Sequence, residues 1–88
     1  MPYIPQSGRD TLDPGIDQLV KALEGADWNP GEVNYTFYRI LVAWFKYESR
    51  YKTICSIMGT LTSVTQEFYR KVAGPYEDLA EKKNGEIS

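Results

Sequence analysis

The sequence has 88 residues, 42% hydrophobic and 25% charged, with a net charge of −2, which is material for one small globular domain and excludes disorder over most of its length. A domain this small buries only about 60% of the surface its unfolded chain exposes, so a thin core and self-association are expected. Cys55 stands alone and cannot close an intramolecular disulfide, residues 1–6 lack the basic and apolar regions of a signal peptide, and the uncharged run Ile40 to Phe45 is far short of the ~20 residues of a membrane span. A cytoplasmic protein outside the membrane is the expectation.

The first dozen residues, with Pro2, Pro5 and Gly8, show no period and read as an extended N-terminal arm over residues 1–12. Asp13 then offers an N-cap, Pro14 suits the first helical position, and Ile16, Leu19, Val20 and Leu23 recur at helical spacing, with Gly25 closing the element. A second helix starts at Asn29-Pro30, with Glu32 placed to complete a capping box. Its stripe of Val33, Phe37, Ile40, Leu41 and Trp44 is expected in the core, while Tyr38, Val42 and Phe45 populate a second side and are predicted to form a subunit interface. Ser49 is placed to cap a third and longest helix that runs to about Ala73. Ile54, Leu61 and Phe68 fall seven apart on one side of it, and Ser56, Gly59, Thr60 and Ser63 form a strip of small residues on the other. Gly74 and Pro75 are read as ending that helix and opening a short fourth one that stops at Asn84-Gly85. The reading is therefore all-α, a three-helix core with an N-terminal arm and a short fourth helix, one domain over residues 13–84 and a tail over 85–88, assembled as an oligomer.

The chemistry begins with an exclusion. Without a histidine the chain lacks the usual general base, the commonest zinc ligand and any Ser-His or Cys-His pair, and no Gly-rich phosphate loop is present, so no enzyme, metal or cofactor is expected. Cys55, beside Ile54 and Met58, reads as a small core hydrophobe. Glu77 and Asp78 follow Pro75, where acidic residues favour a helix start, and need no further role.

Charge is unevenly spread. Residues 1–32 carry a net −4, residues 33–71 a net +4, and the basic stretch holds nine of the twelve aromatic residues. Arginine forks bind phosphate bidentately and tyrosine rings stack on bases, so Tyr3, Arg9, Tyr35, Arg39, Tyr69, Arg70 and Lys71 are the candidate ligand-binding residues. The bland alternative is that cations near a helix C-terminus complement its dipole and that Arg39 pairs with Glu67 or Glu32.

The segments Met1-Pro2-Tyr3-Ile4, Leu12-Asp13-Pro14, Gly31-Glu32-Val33-Asn34-Tyr35, Arg39, Glu67-Phe68-Tyr69-Arg70-Lys71, Pro75-Tyr76-Glu77-Asp78 and Asn84-Gly85 resemble a family of small, uncharacterised helical proteins common in phage genomes. Trp28, Asn29-Pro30 and the strongly aromatic second helix depart from that pattern. The resemblance carries no activity to transfer. It implies a phage context, in which small proteins often act by binding, as inhibitors of host defence or as oligomers that sequester a nucleotide signal. The leading expectation is a non-enzymatic homo-oligomer that binds a phosphate-bearing small molecule of nucleotide type. An interaction module for a host or phage protein comes second, and double-stranded nucleic acid ranks third because the whole chain is acidic.

Overall fold

A computed structural model describes residues 3–85, so the arm's first two residues and tail residues 86–88 lie outside the described part. Helix α1 spans Gln6–Gly25, α2 Pro30–Tyr47, α3 Tyr51–Phe68 and α4 Gly74–Asn84, and a five-residue π-helical turn, Tyr69–Ala73, joins α3 to α4 without a break. Among the described residues there is no strand. The described residues thus form three helices rather than four, the last assembled from joined pieces. Its described residues group into two compact units, Tyr3–Cys55 and residues 56–85.

The arm is shorter than its composition suggested. Pro5 is the residue before the helix, and its carbonyl accepts the amides of Gly8 and Arg9 at 3.0 and 3.2 Å. Pro14, expected at the start of α1, lies inside it. An interior proline forfeits one backbone bond, the one its amide would have given to the carbonyl of Asp10. Side chains reinforce the turns that precede it: Gln6 Nε2 donates to Asp10 Oδ1 at 2.8 Å, and the Thr11 hydroxyl to the carbonyl of Ser7 at 3.1 Å. The absence of a side chain at Gly8 lets Ile4 lie close, since a Cβ there would stand 3.1 Å from Ile4 Cδ1. Asp13 is consequently a mid-helix residue and caps nothing.

Helix α1 ends in a Schellman motif. The amide of Trp28 reaches back to the carbonyl of Leu23 and that of Asp27 to Glu24, both at 3.0 Å. The left-handed position this motif needs is filled by Asp27 (φ 55°) instead of glycine, and Trp28 (φ 54°) after it is left-handed too, while Gly25 is merely the last helical residue. Left-handed backbone costs a side-chain-bearing residue about 1–2 kcal/mol, and a tryptophan there is rare. The chain then restarts at once: Asn29 Oδ1 accepts from the Gly31 amide at 2.9 Å, with Pro30 in the first turn and Glu32 adding negative charge at the N-terminus.

At the α2–α3 connection Ser49 does not cap forward. Its hydroxyl donates back to the carbonyl of Phe45 at 2.9 Å, and the carbonyl of Arg50 accepts the first amides of α3, from Thr53 and Ile54. The Glu48 side chain accepts from the Thr53 hydroxyl at 3.1 Å. Thr53 is only 2% exposed, so this bond satisfies a polar group that would otherwise be buried without a partner.

The Gly74-Pro75 pair does not end α3. The Gly74 amide bonds to the carbonyl of Tyr69, five residues back, which is the wider spacing of a π turn. In a regular α-helix the Pro75 ring would press on the carbonyl four residues earlier, and the extra residue in the turn moves that carbonyl aside. Gly74 permits the geometry, because a Cβ at that position would sit 3.1 Å from the Tyr69 carbonyl oxygen.

Burial is sparse. Leu23 and Ile57 are the buried hydrophobic residues among those described, and Thr53 the buried polar one. Phe37 and Ile40, expected in the core, are 54% and 50% exposed. On α2 it is Val33, Leu41, Val42, Trp44 and Phe45 that are half-buried. Cys55 is exposed and is not the core thiol that its neighbours suggested.

Candidate functional site

The seven candidate residues fall into two groups, one in each compact unit. Tyr3, Arg9, Tyr35 and Arg39 belong to Tyr3–Cys55, and Tyr69, Arg70 and Lys71 to residues 56–85. Within the first unit the pair that the sequence placed on one helical face is formed as expected. Arg39 Nη1 donates to the Tyr35 hydroxyl at 2.8 Å, and the guanidinium carbon lies 5.7 Å from the centre of the Tyr35 ring. Such a cation–ring contact at an exposed site contributes on the order of 0.5–1 kcal/mol and holds the arginine in one place. Only one of the five guanidinium N–H donors is used in that bond, so the fork keeps its capacity for an anion. Within that unit, among the described residues, Glu32 makes no ion pair with Arg39. Arg9, by contrast, is tied to its own helix start, donating from Nε to the carbonyl of Ile4 at 3.0 Å. Tyr3 is half exposed just ahead of α1.

In the second unit the candidates all lie on the π turn, a feature that only the Gly74-Pro75 pair foreshadowed. The Tyr69 hydroxyl donates to Glu77 Oε2 at 3.2 Å across the turn. Its pKa is raised above the ordinary 10.0, first by that hydrogen bond and then by the negative charge of Glu77, with smaller contributions from desolvation and Asp78. Arg70 is engaged by Glu67 through Nη2 and Oε1 at 2.6 Å, so a ligand there would compete with a carboxylate already in place. Lys71 makes no ion pair among the described residues and stands exposed. A shallow groove of about 230 Å³ is lined by Ser63, Gln66, Glu67 and Arg70, and another of about 330 Å³ on α4 by Tyr76, Leu79, Ala80, Lys83 and Asn84. The small-residue strip of α3 therefore contributes Ser63 to the groove beside Arg70.

The three interface residues all lie in Tyr3–Cys55 and differ in exposure. Tyr38 is 65% exposed, whereas Val42 and Phe45 are half-buried within the chain. Large apolar side chains left open are more numerous than the sequence suggested, with Leu12, Ile16 and Leu19 on α1 and Phe37, Ile40 and Tyr47 on α2 among them. Burying a side chain of this kind fully is worth about 1.5–3 kcal/mol, so an open stripe on each of two helices is a large stabilisation forgone by the isolated chain.

Among the described residues, no cluster of three or more His, Cys, Asp or Glu could hold a metal ion, and no helix is long and apolar enough to cross a membrane. These features define an all-helical protein with open apolar helix faces and an exposed arginine–tyrosine pair. The chain belongs to the family described as Domain of unknown function (DUF6899), which it matches over residues 1–87. No curated protein and no solved structure matches it significantly.

Proposed function

We propose that this protein is a non-enzymatic, homo-oligomeric binding protein whose ligand is a small molecule bearing phosphate. The observation that carries the reading is the Arg39–Tyr35 pair, a guanidinium fixed over a ring with most of its donors free. Phosphate recognition needs a positioned fork, and pre-ordering its side chain removes part of the entropy that binding would otherwise cost. On the π turn the exposed Lys71 and the Tyr69 ring offer a further cation and ring, and Arg70 would first have to leave Glu67. The phage setting suggested by the resemblance favours a nucleotide signal of host defence as the ligand, held by a protein that sequesters it.

The absence of histidine supports assigning no reaction. The test is a thermal-shift and calorimetric screen against cyclic and linear nucleotides. Stabilisation that Arg39→Ala abolishes supports the reading, because a ligand that binds the native state raises its stability in proportion to the logarithm of its concentration over Kd. No shift with any phosphate-bearing compound refutes it. Light scattering tests the assembly, which a monodisperse 10.1 kDa species at micromolar concentration overturns.

A second reading, a module that docks on a host or phage protein, draws support from the exposed aromatic residues Tyr38, Tyr47 and Tyr51. A negative nucleotide screen combined with loss of a stoichiometric partner in Tyr38→Ala would favour it.

A further inference from the structure

The open apolar stripes of α1 and α2 carry opposite charge on opposite flanks. On α1, Leu12, Ile16 and Leu19 recur at i, i+4 and i+7, and all three are exposed. Asp13 and Asp17 each follow a stripe residue by one position, so both lie about 100° round the helix on the same side. On α2, Ile40, Ala43 and Tyr47 recur at i, i+3 and i+7, all exposed, with Tyr47 at 90%. There Arg39 and Lys46 each precede a stripe residue by one position and so lie about 100° round the helix on the other side.

Helices α1 and α2 leave their connecting loop without packing along their lengths, so neither stripe is covered by the other within the chain. Two helices laid face to face in parallel bring the trailing flank of one against the leading flank of the other. Laid antiparallel, they would set the acidic side of α1 away from the cations. We infer that the partner of the α1 stripe is the α2 stripe of a second copy of this chain, docked in parallel with Asp13 and Asp17 facing Arg39 and Lys46. The occupant is fixed by charge. An acidic-flanked apolar face requires a basic-flanked one, and this chain displays that face itself.

Reciprocity follows from symmetry. In a two-fold assembly the α1 of each copy docks on the α2 of the other, so both pairs of stripes are covered and the assembly closes. This inference rests on the oligomer proposed above, and it supplies the faces.

The experiment is a charge swap read by light scattering, with far-UV circular dichroism as the control for folding. The four proteins are the wild type, Asp13→Lys/Asp17→Lys, Arg39→Glu/Lys46→Glu, and the combination of all four changes. The expected result is an assembled wild type, at least tenfold weaker association in each double variant with helicity retained, and recovery of association in the combined protein. Recovery is the decisive arm, because like charges facing each other repel in either double variant and opposite charges are restored only when both flanks are reversed. An assembled wild type whose double variants associate unchanged, or whose combined variant fails to recover, overturns the docking but leaves the oligomer standing. A monomeric wild type overturns both.

Discussion

The α1–α2 junction and the α3–α4 junction both place glycine before proline, and the chain breaks at one and continues through the other. Between Gly25 and Pro30 there are four residues, enough for the Schellman turn and for Asn29 to cap the next helix. Gly74 and Pro75 are adjacent, and Ala73, the residue where a new helix would need its cap, has no side-chain acceptor to offer. A helix can stop only where its orphaned carbonyls and the next helix's orphaned amides find partners. Where no cap is available, keeping the backbone bonded through one widened turn costs less than breaking it. Glycine and proline therefore mark a place where the helix must change, while the residues around them decide whether it ends.

The largest test of this comparison is on the side of the break. Leu23 supplies the Schellman carbonyl and is among the few buried hydrophobic residues. Leu23→Ala keeps the carbonyl but empties the side-chain site, and is expected to cost about 2–4 kcal/mol in urea unfolding. A loss under about 0.5 kcal/mol would show that the turn is held by its backbone bonds alone. Asn29→Ala, which removes the cap and leaves Pro30 in place, is expected to cost about 1 kcal/mol, within the roughly 0.5–2 kcal/mol measured for such caps. Serine at the same position should recover most of it.

On the continuing side the expected effect is smaller and its sign is the informative part. In an ordinary helix interior, glycine to alanine stabilises by about 1 kcal/mol. At Gly74 the added Cβ would meet the Tyr69 carbonyl oxygen at 3.1 Å, and that oxygen is held by the Gly74 amide itself. Gly74→Ala is therefore expected to lower thermal stability, by roughly 0.5–1 kcal/mol once the propensity gain is offset against the crowding. A rise in Tm of the usual alanine size would mean that the π turn relaxes to a regular helix without cost.

How much of this was legible in the sequence depends on the kind of signal. Asn29-Pro30 and the 3.6-residue periods announce themselves locally, and the start of α2 stands where the residues put it, but the covered side of α2 does not, since Phe37 and Ile40 are exposed and Val42 and Phe45 half-buried. Pro14 misleads, because its restriction forbids one hydrogen bond and not the helix, and Leu12 already continues the Ile16, Leu19, Leu23 stripe a turn further back. The left-handed pair Asp27-Trp28 has no residue signature, since its conformation is imposed by the turn around it. For the candidate site, the Tyr35–Arg39 spacing was readable because i to i+4 geometry is fixed by the helix. The Tyr69–Glu77 bond was not, because an eight-residue separation closes only through a π turn that the sequence presented as a stop.

The smallest effect sharpens the picture of that turn through the ionisation of Tyr69. The hydroxyl donates to Glu77, and the phenolate that deprotonation would create faces the same carboxylate, with Asp78 nearby, so the native state holds the proton above the ordinary value of 10.0. The native protein therefore binds more protons than the unfolded chain at alkaline pH. This contribution to stability is fully present below pH 10 and is lost as pH rises through the native value. Tyrosinate absorbance should show a late-titrating group in the wild type that disappears in Tyr69→Phe, while Glu77→Gln should shift it back toward the ordinary range. Because the ring is largely exposed, the gain belongs to local geometry and adds little to global stability. A wild-type titration in which Glu77→Gln changes nothing would show that the hydroxyl and the carboxylate are not bonded in solution, and that the π turn is closed by the Gly74 amide and Pro75 alone.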